Sequence, residues 1–325
     1  MEISENMLDL MKECSGAKTI GIAGHVRPDG DCVGSCMALA MYLRKTQPDS
    51  RVDVLLETIN DSLCVIPGVD TIKNHSQKEC YDLFFALDTA FDRIGFATED
   101  ANRAKRRINI DHHISNQGGS DLDHIIPTAS STSEIVYELL DTTYLDVDIA
   151  QALYIGIIHD TGVFQYSNTS PRTMAIASHL LSCGFDFSRI IEETFYERTY
   201  GQTEILGRAL LESMLVLDKR CAVTCISLRM MQFYQVSKSE LDGIVNQLKQ
   251  IRGVECGILL VEHGLMEYKV SMRSSDLVDV SKVAVYFGGG GHKKAAGVSM
   301  HGTSHDVMTN LLREIELQLK ENTCD

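Results

Sequence analysis

Five separated clusters of acidic residues, histidines and glycines carry the chemistry of this 325-residue sequence. They are His25-Val26-Arg27-Pro28-Asp29-Gly30-Asp31, then Asp88, Asp111-His112-His113, Asp160, and Gly288-Gly289-Gly290-Gly291-His292. Asp29 and Asp31 alternate with a glycine, so in an extended loop both side chains point to one side. Two carboxylates that close repel each other unless cations lie between them, and His25 adds a neutral nitrogen ligand. Taken singly, each cluster has a plain explanation: a solvated turn for Asp29 and Asp31, a cap for Asp88, packing for His112 and His113, a helix-end turn for Asp160. Their joint occurrence at the ends of predicted elements points instead to metal.

The donor set is oxygen plus imidazole with no thiolate, which favours Mn²⁺ or Mg²⁺, with Co²⁺ or Fe²⁺ as alternatives, over a structural zinc. His25, Asp29, Asp31, Asp88, His112 and Asp160 are too many ligands for one catalytic ion that keeps open positions. A pair of ions about 3.5–4 Å apart, bridged by a carboxylate and a water, fits better, and its natural reaction is phosphoester hydrolysis. The four glycines need a separate account. They expose backbone amides and allow close approach of a ligand, and His292 beside them adds charge toward a bound phosphate. No Gly-Lys-Ser/Thr follows, so the run is not a P-loop; its plain explanation is a helix C-cap with a loose turn. Arg273 is a candidate second anion contact.

The elements that must position these residues read as α/β. Apolar runs at Lys18–Gly24, Arg51–Leu56, Leu83–Leu87 and Arg107–Ile110 predict buried strands, and Cys32–Arg44 predicts the helix after the first of them. Three of the four runs end at a motif, as expected where parallel strands deliver side chains to one crevice at their carboxyl ends. Ser131 with Glu134 reads as a capping box, Asp148 as the cap of a helix over Ile149–Ile158, and Ser170-Pro171 as the start of a helix that Gly184 closes. A connecting helix is expected over 196–217. Beyond it, Ala222–Leu228, Gly257–Glu262 and Glu267–Met272 predict strands, with a helix over Ser237–Ile251 and another over Val280–Phe287. The expected organisation is a metal-binding domain over 1–195, the linker 196–217 and a smaller α/β domain over 218–325, with the active-site cleft between the two.

Composition narrows the classes. With 44% hydrophobic residues the chain can bury a core. Thirty basic residues against 45 acidic argue against long duplex nucleic acid held through many phosphates, while a small anion remains compatible because a metal pair reverses the field locally. The ten cysteines are scattered singly, without CxxC pairs, as in a reducing cytoplasm. The Met-Glu-Ile-Ser-Glu-Asn start lacks the features of a signal peptide, and no run approaches the roughly 20 apolar residues of a membrane span. A cytoplasmic protein without membrane contact is expected; homodimerisation is left open.

The motifs His25-x3-Asp29-x-Asp31 followed by Gly34-Ser35, Asp88, Asp111-His112-His113, Asp160-Thr161-Gly162, and Arg273 through Gly288–Gly291-His292-Lys293-Lys294-Ala295-Ala296-Gly297 resemble those of the DHH/DHHA1 phosphoesterases. The two-domain layout is similar to the NrnA-type bifunctional oligoribonucleases and pAp phosphatases within that family. The resemblance implies an N-terminal parallel-sheet DHH domain and a C-terminal DHHA1 domain. It implies that His25, Asp29 and Asp88 bind one Mn²⁺ and that Asp31, Asp88, His112 and Asp160 bind the other, with Asp88 bridging; Mg²⁺ or Co²⁺ are alternatives. It further implies that Asp111 orients the site, that His113 faces the scissile phosphate, and that Arg273, Gly289, Gly290, Gly291 and His292 contact substrate. The implied reaction is attack by a metal-activated hydroxide on single-stranded RNA or DNA of about two to five nucleotides, including pApA, giving mononucleotides, and on 3′-phosphoadenosine 5′-phosphate (pAp), giving AMP. Cleavage of c-di-AMP, a manganese pyrophosphatase and a non-catalytic nucleotide-binding regulator are the rival readings.

Overall fold

The computed structural model describes residues 8–241 and 243–321. The N-terminal stretch read for a signal peptide and Cys324 lie outside the described residues. The chain divides into two compact units between Glu197 and Arg198.

The first unit is built on a parallel sheet in the order β2-β1-β3-β4-β5, from β1 (Thr19–Ala23), β2 (Arg51–Leu55), β3 (Leu83–Leu87), β4 (Arg107–Asp111) and β5 (Leu122–Ile125). The central strands are near-continuous apolar runs because helices cover both faces. A short α1 (Leu10–Cys14) precedes β1, and α2 (Gly30–Thr46) follows it. The small α3 (Thr98–Arg103) packs with Tyr81, Phe84 and Ile94 on one side. The main core lies on the other, where α2 meets α4 (Thr132–Leu139) and α5 (Val147–Asp160), flanked by α6 (Pro171–Leu181) and α7 (Phe187–Ile191). In this strand order the direction of winding reverses between β1 and β3, and the crevice opens there at the carboxyl ends.

Three local expectations change. The helix expected from Cys32 begins at Gly30, so Asp29 is its N-cap and Asp31 lies in its first turn; the two are not side by side on an extended loop. Asp146, not Asp148, caps α5 by accepting from the Ile149 amide at 3.0 Å. Ser131 caps α4 through the Glu134 amide, but the Glu134 carboxylate accepts from the Ser130 and Thr173 hydroxyls instead of closing a capping box.

The second unit is a six-stranded mixed sheet, order β10-β11-β9-β8-β7-β6. It comprises α8 (Tyr200–Leu211), β6 (Met214–Val216), β7 (Cys221–Ile226), α9 (Leu228–Tyr234), α10 (Ile244–Lys249), β8 (Cys256–Gly264), β9 (Glu267–Ser274), α11 (Val280–Tyr286), β10 (Gly290–His292), β11 (Ala295–His301) and α12 (Ser304–Glu321). The segment expected as a linker thus supplies α8 and the edge strand β6. Its hairpin turn over Leu217, Asp218 and Lys219 adopts positive φ at all three residues without a glycine to mark it. The helix expected over Ser237–Ile251 is a short 3₁₀ turn at Lys238–Leu241 and then α10, which starts after Gly243 at φ 88°.

Candidate metal centre

His25 follows β1, Asp88 follows β3, Asp111 ends β4, and Asp31 and Asp160 sit on α2 and α5 at the same end of the sheet. Two glycines bring those helices together. A Cβ on Gly34 would lie 2.5 Å from the Ala152 carbonyl, and one on Gly156 would lie 2.7 Å from Asp31 Oδ1 and 2.0 Å from Ser133 Oγ. The missing side chains are what let α2, α4 and α5 converge under the site.

The His25 Nδ1–H donates to the Val26 carbonyl at 2.9 Å, leaving Nε2 to face Asp29 Oδ1 at 3.6 Å and Asp88 Oδ2 at 3.5 Å. On the other side His112 Nε2 faces Asp160 Oδ2 at 3.0 Å and Asp88 Oδ1 at 3.6 Å. The two oxygens of Asp88 therefore point to two different imidazoles. Asp88 is 3% exposed and holds a left-handed backbone, φ 60°, which an L-residue adopts at a cost of about 1–3 kcal/mol when its surroundings enforce it. The Thr132 hydroxyl, donating to Asp88 Oδ1 at 3.1 Å, is one such restraint.

Asp31 is fully buried and takes both restraints from the start of α4, accepting from the Thr132 amide at 2.6 Å and the Ser133 amide at 2.9 Å. Helix N-termini stabilise negative charge in this way. Asp111 is buried too. It accepts from the His112 and His113 amides at 2.7 and 3.1 Å, from His113 Nδ1 at 2.8 Å and from the Asn116 amide group at 2.6 Å, so it fixes the loop and the His113 ring together. Asn116 also donates to Asn109 Oδ1, whose own amide donates to the Ala86 and Thr89 carbonyls on either side of Asp88. Asn109, Asn116 and Thr132 escaped the sequence reading. The signal for Asn109 was available, as a buried amide inside the apolar strand Arg-Ile-Asn-Ile-Asp. The signal for Thr132 was hidden, because it resembles any residue in a first helical turn.

The electrostatics call for cations. Asp29, Asp88, Asp111 and Asp160 are each ion-paired with histidines, and Asp31 is held by backbone amides. Burial pushes Asp31 well up, with the charges of Asp88 and Asp160 adding to it. Burial likewise lifts Asp88 to about 6, against the pull of His25. Burial disfavours charge on His112, yet Asp160 and the surrounding carboxylates raise it to about 10, and Asp29 and Asp88 raise His25 in the same way. Protons thus collect where positive charge is missing. A divalent pair supplies that charge without protonating the ligands, and the donors fit it: three groups, His25–Cys32–Asp88, Asp88–His112–His113 and Asp31–His112–Asp160, each have their donor atoms within 4.8 Å of one another. The first contains a thiol, Cys32, where the sequence suggested an oxygen and imidazole set alone. A cavity of about 670 Å³ opens over the His25 side, lined by His25, Asp29, Asp88, Asp111 and His113.

The remaining expected residues lie in the second unit. Arg273 on β9 pairs with Ala295 on β11, which pairs with His292 on β10, so Arg273 and His292 share one cross-strand row and hence one face. The glycine run is not a loop throughout. Gly288, at φ 84°, and Gly289 close α11, the Gly289 amide donating to the Ala284 carbonyl, and residues 290–292 form β10. Cβ atoms on Gly289 and Gly291 would lie 2.4 Å and 2.5 Å from β11 carbonyls, so close strand approach explains these two, while Gly290 faces open space.

Residues 19–157 match the DHH family, N-terminal domain, and residues 220–321 match the DHHA1 domain. The chain belongs to the DHH family. It is 27% identical over 319 residues to the bifunctional oligoribonuclease and PAP phosphatase NrnA of Bacillus subtilis, covering 97% of this chain and 99% of that one. It is 26% identical to the protein of the same name from Thermus thermophilus, covering 88% and 86%. Among solved structures, an exopolyphosphatase-related protein from Bacteroides fragilis superposes with a TM-score of 0.88 at 26% identity, over 95% of this chain and 96% of that one. RecJ of Thermus thermophilus, solved with Mn²⁺, shares the fold at a TM-score of 0.54 and 12% identity, over 96% of this chain and 54% of RecJ. The DHH-family chain is a hydrolase of the phosphoesterase class. No helix among the described residues is long and apolar enough to cross a membrane.

Proposed function

We propose that this DHH protein is a two-metal phosphoesterase that cleaves RNA or DNA of about two to five nucleotides, including pApA, to mononucleotides and converts pAp to AMP. The observation that carries the reading is Asp88, whose two oxygens face the His25 and His112 donor groups separately, as a shared ligand must. His25, Asp29 and Asp88 would hold one divalent ion, and Asp31, Asp88, His112 and Asp160 the other, with Mn²⁺ favoured and Mg²⁺ or Co²⁺ as alternatives. When bound, such ions lower the pKa of water and neutralise charge on phosphoryl oxygens. The relatives named for oligoribonuclease and PAP phosphatase activity support the substrate class.

The chain's own residues supply the rest. Asp111 holds His113 through Nδ1, which leaves Nε2 for the scissile phosphate, and the Asp111 carboxylate raises the imidazole above its ordinary value, which favours its cationic form beside an anionic substrate. Thr132, Ser133 and Asn116 carry no reacting atom and position the acids. In the second unit, Arg273, His292 and the amides near Gly289, Gly290 and Gly291 are proposed to hold the substrate's further phosphate. We place the protein in the cytoplasm, in keeping with thiols that are unpaired among the described cysteines.

A Mn²⁺-dependent turnover assay on pAp, pApA, a five-nucleotide RNA, c-di-AMP and pyrophosphate, with Asp88→Ala as control, tests this. AMP from pAp and pApA, lost in the variant, is the expected result. Turnover of c-di-AMP or pyrophosphate alone would replace the substrate assignment, and silence across the panel would favour a nucleotide-binding regulator.

A further inference from the structure

Cys32 lies three residues after Asp29 on the first turn of α2, fully buried, and its amide donates to the same Asp29 oxygen that faces His25. Its sulfur, one His25 ring nitrogen and one Asp88 oxygen all lie within 4.8 Å of one another. The His25 Nδ1–H is committed to the Val26 carbonyl, so the available nitrogen is Nε2, which Asp29 Oδ1 and Asp88 Oδ2 already flank at 3.6 and 3.5 Å. The sulfur fills the space over Gly24, where an added Cβ would meet it at 2.1 Å. The sulfur, a His25 nitrogen and an Asp88 oxygen therefore form one compact group, and the Asp29 oxygen stands beside the same His25 ring at Nε2. Bonds of about 2.0–2.3 Å to such donors require them to draw in by only a fraction of their present separation.

We propose that Cys32 is a fourth protein ligand of the His25–Asp29–Asp88 site, engaged by thiophilic divalent cations such as Zn²⁺, Cd²⁺ and Co²⁺ and left out by Mn²⁺ and Mg²⁺. Sulfur donors select softer ions, whereas hard ions take oxygen. On binding, the metal–sulfur bond replaces the S–H bond and the proton passes to solvent, with no change of oxidation state. Four protein donors make a closed tetrahedral site, while three leave the open position that catalysis requires. The same pocket is thus a working site for Mn²⁺ and a blocked one for Zn²⁺ or Cd²⁺ held tetrahedrally, while Co²⁺, which readily adds a fifth ligand, reports the sulfur without closing the site; the activity is therefore sensitive to which metal is loaded.

This inference rests on the metal-centre reading above, and the test separates the two. Metal-free protein is titrated with Co²⁺ and followed for sulfur-to-cobalt charge-transfer absorption in the near ultraviolet. The wild type is expected to show the band, Cys32→Ala to lose it, and Cys36→Ala, one turn further along the helix, to keep it. The Cd²⁺ affinity of Cys32→Ala is expected to fall at least about tenfold while its Mn²⁺ affinity stays within about twofold. A cadmium-113 resonance in the thiolate range for the wild type gives the same answer without any variant. Co²⁺ uptake without the band, a band that survives in Cys32→Ala, or equal losses of Cd²⁺ and Mn²⁺ affinity would overturn the role of Cys32 alone. Absence of any divalent uptake would overturn the metal centre with it.

Discussion

Replacing Gly156 by alanine places a methyl group 2.7 Å from Asp31 Oδ1 and 2.0 Å from Ser133 Oγ, where ordinary contact begins near 3.4 Å. Asp31 must then retreat by roughly 0.7 Å and the Ser133 hydroxyl by roughly 1.4 Å, or α4 and α5 must part. Alanine favours the helix by about 0.5–1 kcal/mol, but overpacking a close contact costs about 1–3 kcal/mol. Weakening a charge-assisted bond from the Thr132 or Ser133 amide to Asp31 adds about 1.5–3 kcal/mol at most. Steric loss wins, for a net destabilisation of about 2 kcal/mol, which lowers Tm by roughly 4–8 °C in a unit of this size. Displacing Asp31, a proposed metal ligand, costs more in function than in stability, so Mn²⁺ affinity should fall by about 10–100-fold. Gly207→Ala is the control, since its Cβ would meet nothing within 4 Å on α8. It should be neutral or slightly stabilising. Differential scanning calorimetry of metal-free protein and a Mn²⁺ titration read both effects. A Gly156→Ala protein with wild-type Tm and wild-type Mn²⁺ affinity would refute the reasoning.

Three further outcomes follow from the same structure. Asp111→Asn removes the charge that keeps His113 raised, so the alkaline limb of the kcat/KM profile should move to lower pH and kcat should drop by about 10²-fold with KM little changed; an unmoved limb would exclude His113 as the titrating group. Asp82 is held at about 2 by its ion pair with Lys105 and the Lys18 and Thr19 amides. Because that value lies below the unfolded one, its contribution to stability is present above about pH 4 and disappears as pH falls toward 2. Urea midpoints across that window should flatten in Asp82→Asn. Arg273→Ala should raise KM for pAp by about tenfold or more while bis(p-nitrophenyl) phosphate, which lacks a second phosphate, turns over as before; equal losses on both substrates would argue for a structural role.

Much of the candidate metal centre was legible because buried parallel strands are continuous apolar runs and the acidic and histidine residues stand at their ends. Leu83–Leu87 then Asp88, and Arg107–Ile110 then Asp111, are read directly from that pattern. β5 was missed because Leu-Asp-His-Ile is short and half polar, as an edge strand is. What else stayed hidden belongs to the backbone. The amides of Thr132 and Ser133 that hold Asp31 carry no residue-type signature, and neither does the positive-φ turn at Leu217–Lys219 that makes the expected linker a strand of the second unit. Cys32 was visible next to Asp31, but only the helix starting at Gly30 shows that its sulfur turns toward His25 and Asp88.

The central claim is that Asp88 is shared by two metal ions. Anomalous diffraction at the manganese edge from crystals grown with Mn²⁺ tests it most directly. Two peaks about 3.5–4 Å apart, one on each side of the Asp88 carboxylate and both lost in Asp88→Ala, are the predicted result; a single peak, or two that survive that substitution, would contradict it.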